Sequence, residues 1–151
     1  MRPKLRILWV LGAMLAGSSA IPTGAGERLI MRDNVYYVSG GVGEDSVERL
    51  NARARDFNLK LVFTLNEGNY LADVDVVIVD ARGAKLIEHT ADGPFFFAKL
   101  PAGQYSVTAT NEGKAVTRKV MVGASNLRTE HFRWPANPQI DNTIPSWNEK
   151  K

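Results

Sequence analysis

Apolar residues along this chain follow two different periods, and the change falls near position 58. Before it, Val47, Leu50, Ala54 and Phe57 recur at steps of three, four and three, with Glu48, Arg49, Asn51, Arg53, Arg55 and Asp56 filling the other side. That spacing predicts one amphipathic helix ending near Asn58. Its polar face is mixed in sign, which fits packing on a domain better than lying on a membrane. Asp45-Ser46-Val47-Glu48 has the form of a capping box, so Asp45 is expected to cap the helix while Glu48 reaches back.

From Leu59 onward the period is two, and turn residues recur between short apolar runs. Leu59, Leu61, Phe63 and Leu65 alternate before Asn66-Glu67-Gly68-Asn69; Val74, Val76 and Ile78 alternate before Asp80-Ala81-Arg82-Gly83. Lys85 to Thr90, Phe95 to Leu100, the alternating Tyr105, Val107 and Ala109, then Ala115 to Val122 and Leu127 to Trp134 complete seven strands. No helix separates them, so parallel crossovers lack material, and the expectation is a mainly β fold: a seven-stranded antiparallel β-sandwich. Val77, Val79 and Phe96 make second faces apolar as well, so the helix is expected to lie on an outer face near Val77 and Phe96.

The ends read differently. Residues 1–20 have a basic start, an apolar stretch from Ile7 to Ala16 and small residues before Ala20, the pattern of a secretory signal peptide cut after Ala20. The apolar stretch is too short to span a bilayer, so no transmembrane segment is expected after cleavage, and the mature chain is expected to be periplasmic or secreted. Residues 21–34 read as an N-terminal extension, 35–134 as the domain and 135–151 as a Pro-rich disordered tail.

Three stretches resemble a known family: Leu71-Ala72-Asp73-Val74-Asp75-Val76, Thr90-Ala91-Asp92-Gly93-Pro94-Phe95-Phe96-Phe97 and Leu100-Pro101-Ala102-Gly103-Gln104-Tyr105-Ser106-Val107. Together they resemble the carboxypeptidase regulatory-like domain across roughly Leu59 to Trp134. The resemblance implies a transthyretin-like, immunoglobulin-like sandwich with relatives among starch-binding-like domains. It implies a non-catalytic accessory module, of the kind found beside peptidases, in outer-membrane transporters and in surface proteins. The helix and Ser39-Gly40-Gly41-Val42-Gly43 lie outside the family pattern and look like a small periplasmic subgroup in which the module stands alone. Leu100 to Tyr105 also has the form of a tyrosine corner, with Pro101 and Gly103 shaping the turn and the Tyr105 hydroxyl reaching back about four residues.

Charge narrows the function. The chain holds 19 Lys and Arg against 16 Asp and Glu, but Arg2, Lys4 and Arg6 fall in the leader, leaving 16 against 16. A nucleic-acid binder needs a concentrated basic surface, so that class is disfavoured. Without cysteine there is no disulfide, thiol nucleophile or cysteine metal cluster.

Candidate chemistry is sparse. The glycine-rich run before the helix is followed by Glu44, Asp45 and Glu48, which oppose a phosphate. His89 and His131 each follow a glutamate in a strand, where neighbours point to opposite faces, and two histidines fall short of a zinc set. Asp73 and Asp75, with Asp80 or Asp92, lack the dense loop of a calcium site. For hydrolysis, Ser39 or Ser106 could pair with one of the histidines, but Ser39 lacks the strand-elbow-helix context and Ser106 is the polar partner in an alternating strand. No cofactor is expected.

Tyr36, Tyr37, Tyr70, Phe96 and Trp134 are the candidate binding aromatics, with Trp147 in the tail. The reading is therefore a non-enzymatic extracytoplasmic binding or assembly module whose partner is a protein or an envelope polysaccharide. A carbohydrate-binding module is the alternative, and a hydrolase or metal-binding protein the less favoured one.

Overall fold

The computed structural model describes residues 27–137. The signal-peptide reading, Trp147 and most of the Pro-rich tail lie outside them. Two sheets, one α-helix and one turn of 3₁₀-helix make up the described fold. In chain order the elements are β1 (Ile30–Arg32), β2 (Val35–Gly40), α1 (Glu44–Ala52), the 3₁₀ turn (Ala54–Asp56), β3 (Leu59–Leu65), β4 (Val74–Asp80), β5 (Lys85–Ala91), β6 (Phe95–Lys99), β7 (Gly103–Asn111), β8 (Lys114–Val122) and β9 (Arg128–Trp134). One sheet has the order β1-β2-β6-β3-β9 and the other β5-β4-β7-β8.

The count is nine strands, not seven, among the described residues. β1 falls inside the segment read as an extension; its hairpin turns at Asp33, whose φ of 53° places it in the left-handed region that Asp tolerates. β2 escaped notice because both of its faces are covered. Val35 and Tyr37 join the core between the sheets, while Val38 packs under the helix, so no alternation shows.

Nor is every pair antiparallel: β3 and β9 run parallel, from Leu59 beside Arg128 to Leu65 beside Trp134. The intervening strands supply the long crossover that a parallel pair requires.

Leu59, Leu61 and Phe63 of β3, Phe132 and Trp134 of β9, Val74, Val76 and Ile78 of β4, and Tyr105, Val107 and Ala109 of β7 belong to one buried cluster drawn from both sheets. A second cluster joins Leu50 of α1 and Phe57 to Val38, Val62, Phe95 and Phe97. The helix therefore roofs the outer face of the five-stranded sheet, not a face near Val77 and Phe96. Phe96 points into the shared core, and Val77 stays half-exposed on the uncovered four-stranded sheet. Three consecutive phenylalanines leave strand parity undetermined, and contact with the helix selects Phe95 and Phe97 for the outer face.

The helix begins two residues earlier than its capping pattern implies. Gly43, at φ 84°, is the cap and no side chain caps the end. Asp45 is thus the second helical residue and both it and Glu48 remain exposed, so the capping box does not form. Ser46 Oγ instead accepts the Gly41 N–H at 2.8 Å.

Two side chains fasten the connections. Tyr105 Oη donates to the Pro101 carbonyl at 2.5 Å, four residues back. Asn58 is fully buried; its Nδ2 donates to the carbonyls of Leu100 at 2.7 Å and Gly123 at 2.8 Å, and its Oδ1 accepts the Leu100 N–H at 2.9 Å.

Candidate functional site

The structure brings Ser39 and His89 together and adds Asp92. Ser39 lies near the end of β2 with its inward side chain 4% exposed, beside the turn from β5 into β6. Its Oγ donates to Asp92 Oδ2 at 3.2 Å, accepts the Asp92 N–H at 3.0 Å and lies 3.4 Å from His89 Nε2. Hydrolytic geometry differs: the carboxylate should hold the histidine nitrogen remote from serine. Here His89 Nε2 is the nitrogen facing both partners, 4.0 Å from Asp92 Oδ2.

The serine thus works as a clasp between β2 and the β5–β6 turn. Close approach explains the local glycine: a Cβ on Gly93 would stand 2.3 Å from the Gly40 carbonyl oxygen. Tyr37 closes the other side of the imidazole edge-on, with ring centroids 5.3 Å apart. Ser106 has no hydrogen bond to either histidine among the described residues, and His131 stands exposed on β9 beside Val62.

Next to the clasp is an open cleft of about 340 Å³ at the helix start, between Glu27, Ser46, Arg49 and Asp92. Glu27 receives Arg49 Nε and Nη2, each at 3.0 Å, together with the Ser46 hydroxyl. The Arg49 hydrogen bonds, helped by Ser46 and opposed by burial, hold the Glu27 carboxyl down at about 2. This carboxylate is already matched by a bidentate cation, and it straps the segment before β1 to the helix.

The aspartates are likewise committed separately. Asp75 accepts the Thr90 hydroxyl at 2.6 Å, and Asp80 Oδ1 accepts the N–H groups of Arg82 and Ala84 in its own turn. Among the described residues no three His, Asp or Glu side chains converge as a metal set.

Of the candidate aromatics, Tyr37, Phe96 and Trp134 are core residues and offer nothing to a ligand. Trp134 sends its indole N–H to the Lys114 carbonyl at 2.9 Å. Each lies on the inward parity of its strand, which the sequence could not reveal while β2 and the parity of β6 were unknown. Tyr36 is half-buried against the helix cluster.

Tyr70 alone of the five is open, 65% exposed, its ring edge-on to Phe95 with centroids 5.5 Å apart. Beside it, Lys60 Nζ stands 4.7 Å from the Phe95 centroid and 5.2 Å from that of Phe97. Burial pushes this amine below the usual lysine range, and among the described residues no carboxylate pairs with it.

Strand register sets the neighbours. Tyr70 bridges Thr64, which pairs with Arg133; Val62 pairs with His131, and Lys60 with Thr129. An open aromatic ring and three basic side chains thus share the strip of sheet that α1 leaves uncovered. Cation–π stacking and charge would let it hold an anionic or carbonyl-rich surface. The sequence reading found Tyr70 but missed Lys60, whose only signal was a charge at an alternating polar position.

Compared with known proteins, the chain matches no protein-family model and no curated protein sequence. Among the described residues no helix is long and apolar enough to cross a membrane.

Proposed function

We propose that this chain is a non-enzymatic binding or assembly module of the carboxypeptidase regulatory-like type, exported with its leader cut after Ala20. In this reading β3 to β9 are the seven strands of a transthyretin-like sandwich, and β1, β2 and α1 are additions to it. The seven strands between Leu59 and Trp134 support that division, since they span the stretch that carries the family-like motifs.

The observation that carries the functional reading is the uncovered strip with Tyr70, Lys60, His131 and Arg133. A protein surface is the favoured partner, because one exposed ring beside basic groups suits a mixed polar and apolar epitope. An envelope polysaccharide is second, supported by Tyr70 alone, since the other rings do not form a row of sugar platforms.

The test is retention of envelope proteins and polysaccharides on the immobilised mature chain, beside a Tyr70→Ala variant with unchanged circular dichroism. A protein held by the native chain and lost by the variant is the expected result. Retention of polysaccharide alone, with the same dependence on Tyr70, would move the assignment to carbohydrate binding. Equal retention by both chains would remove this strip as the site.

A further inference from the structure

The described residues are balanced in charge, but the charges are segregated. Residues 114–134, which contain β8 and β9, carry Lys114, Arg118, Lys119, Arg128 and Arg133 against Glu130 alone, and Arg128 donates to Glu130 at 2.7 Å. The rest of residues 27–137 has nine Lys and Arg against thirteen Asp and Glu. The two strands share one side of the molecule, for the Arg118 guanidinium lies 5.5 Å from the Phe132 ring centroid and Trp134 bonds to Lys114.

β8 is also an open edge. It ends the four-stranded sheet, and among the described residues no backbone bond reaches it outside its ladder with β7. Glu112 at φ 47° and Gly113 at φ 78° make the two-residue hairpin turn with both positions left-handed. Such a turn makes Asn111 and Lys114 a hydrogen-bonded pair, so Ala115, Thr117, Lys119 and Met121 direct their N–H and C=O groups away from β7. Lys119 and Met121 are exposed on one face of the strand, with Lys114 and Arg118 on the other.

We infer that β8 receives an extended acidic polypeptide segment of another protein, which adds to the sheet as a further strand. The free ladder demands a backbone, which a polysaccharide or a lipid surface does not provide. Cations on both strand faces call for consecutive acidic residues, and Met121 provides an apolar seat beside them. A second copy of this chain is disfavoured, because pairing β8 with itself would crowd Lys114, Arg118 and Lys119 of both copies along one seam with no carboxylate on either strand. The chain's own remaining segments do not supply the occupant: residues 1–26 hold no Asp or Glu, and residues 138–151 hold only Asp141 and Glu149. Lysines on an edge also discourage indiscriminate strand pairing, so the same charges would select an acidic strand and reject neutral ones.

The probe is a fluorescein-labelled peptide of repeated Glu-Glu-Val units, titrated into the mature chain by anisotropy, with polyphosphate as a polyanion lacking amides. Three results are expected together. Binding weakens with salt, the Arg118→Glu, Lys119→Glu double variant loses affinity by roughly tenfold or more, and amide exchange at Ala115, Thr117, Lys119 and Met121 slows on binding. Thr117→Pro deletes an outward N–H and the hydroxyl contact to Thr108 but leaves the backbone ladder to β7 in place, so it should abolish peptide binding while circular dichroism stays native. Peptide binding that survives Thr117→Pro, or polyphosphate binding of equal strength, overturns strand addition in favour of charge attraction. No peptide binding overturns the proposal outright. Because the edge is separate from Tyr70, this result and the Tyr70 retention test can fail independently.

Discussion

At the residue scale, Asn58 shows how one amide holds three connections together. It follows the helix and 3₁₀ turn, and its side chain reaches both the β6–β7 connection at Leu100 and the β8–β9 connection at Gly123. Asn58→Ala would strand the Leu100 N–H and carbonyl in the interior and release the Gly123 carbonyl, at a cost of about 3 kcal/mol. Urea denaturation should show that loss as a lower midpoint with unchanged slope. Nothing in the sequence distinguished this asparagine from a helix-stop signal, because its partners are distant in the chain. Tyr105 is the opposite case, with a partner four residues away and therefore readable. Tyr105→Phe should cost on the order of 1–3 kcal/mol, and an unchanged midpoint would refute the corner.

Glu27 makes a prediction in pH. Its folded pKa of about 2 lies below the ordinary carboxyl value of 4.5, so the folded state holds the proton more weakly than the unfolded state. The stabilisation is present above about pH 4.5 and fades as pH falls toward 2. Glu27→Gln should lower stability at neutral pH and have little effect near pH 2, a difference that thermal melts at the two pH values will register.

At the scale of elements, a helix with this apolar stripe was legible, but neither its end nor its seat was. α1 stops at Ala52, not near Asn58 as the spacing implied; Ala54 lies in the 3₁₀ turn and Phe57 is extended. Apolar steps of three and four depend on neighbours in sequence, so Val47, Leu50, Ala54 and Phe57 could be identified directly. Which sheet face receives them depends on the parity of Phe95-Phe96-Phe97, and an unbroken apolar run carries none. Leu50→Asp puts an unpaired charge among Val38, Val62 and Phe97 and should destabilise the domain by about 3 kcal/mol or more. Hydrogen exchange then separates two outcomes. Loss of protection at α1 together with β2, β3 and β6 is expected; free opening of α1 over a protected sheet would contradict the docking.

At the scale of the molecule, the two buried clusters meet on β2, β3 and β6, each of which contributes side chains to both. They should therefore unfold together. A Trp147→Phe variant of residues 21–151 leaves Trp134, in the shared core, as its one indole. Its emission during denaturation should follow the same curve as the far-ultraviolet circular dichroism. Separate transitions would show that the helix-covered cluster forms an independent unit.

The sequence by itself determined what local periodicity and turn chemistry encode: the amphipathic helix, the run of strands from Leu59 to Trp134 and the tyrosine corner. It also offered Ser39 or Ser106 as the serine beside a histidine, without choosing between the serines or between His89 and His131 and without placing Asp92 beside them. Only the tertiary structure decided that choice, because a β-strand records which face is apolar but not which distant strand lies alongside. The same limit hid β2, covered on both faces, the parallel pairing of β9 with β3, and the burial of Tyr37, Phe96 and Trp134. It also concealed the basic edge: the excess of Lys and Arg over residues 114–134 can be read along the chain, but that β8 ends its sheet with a free ladder cannot.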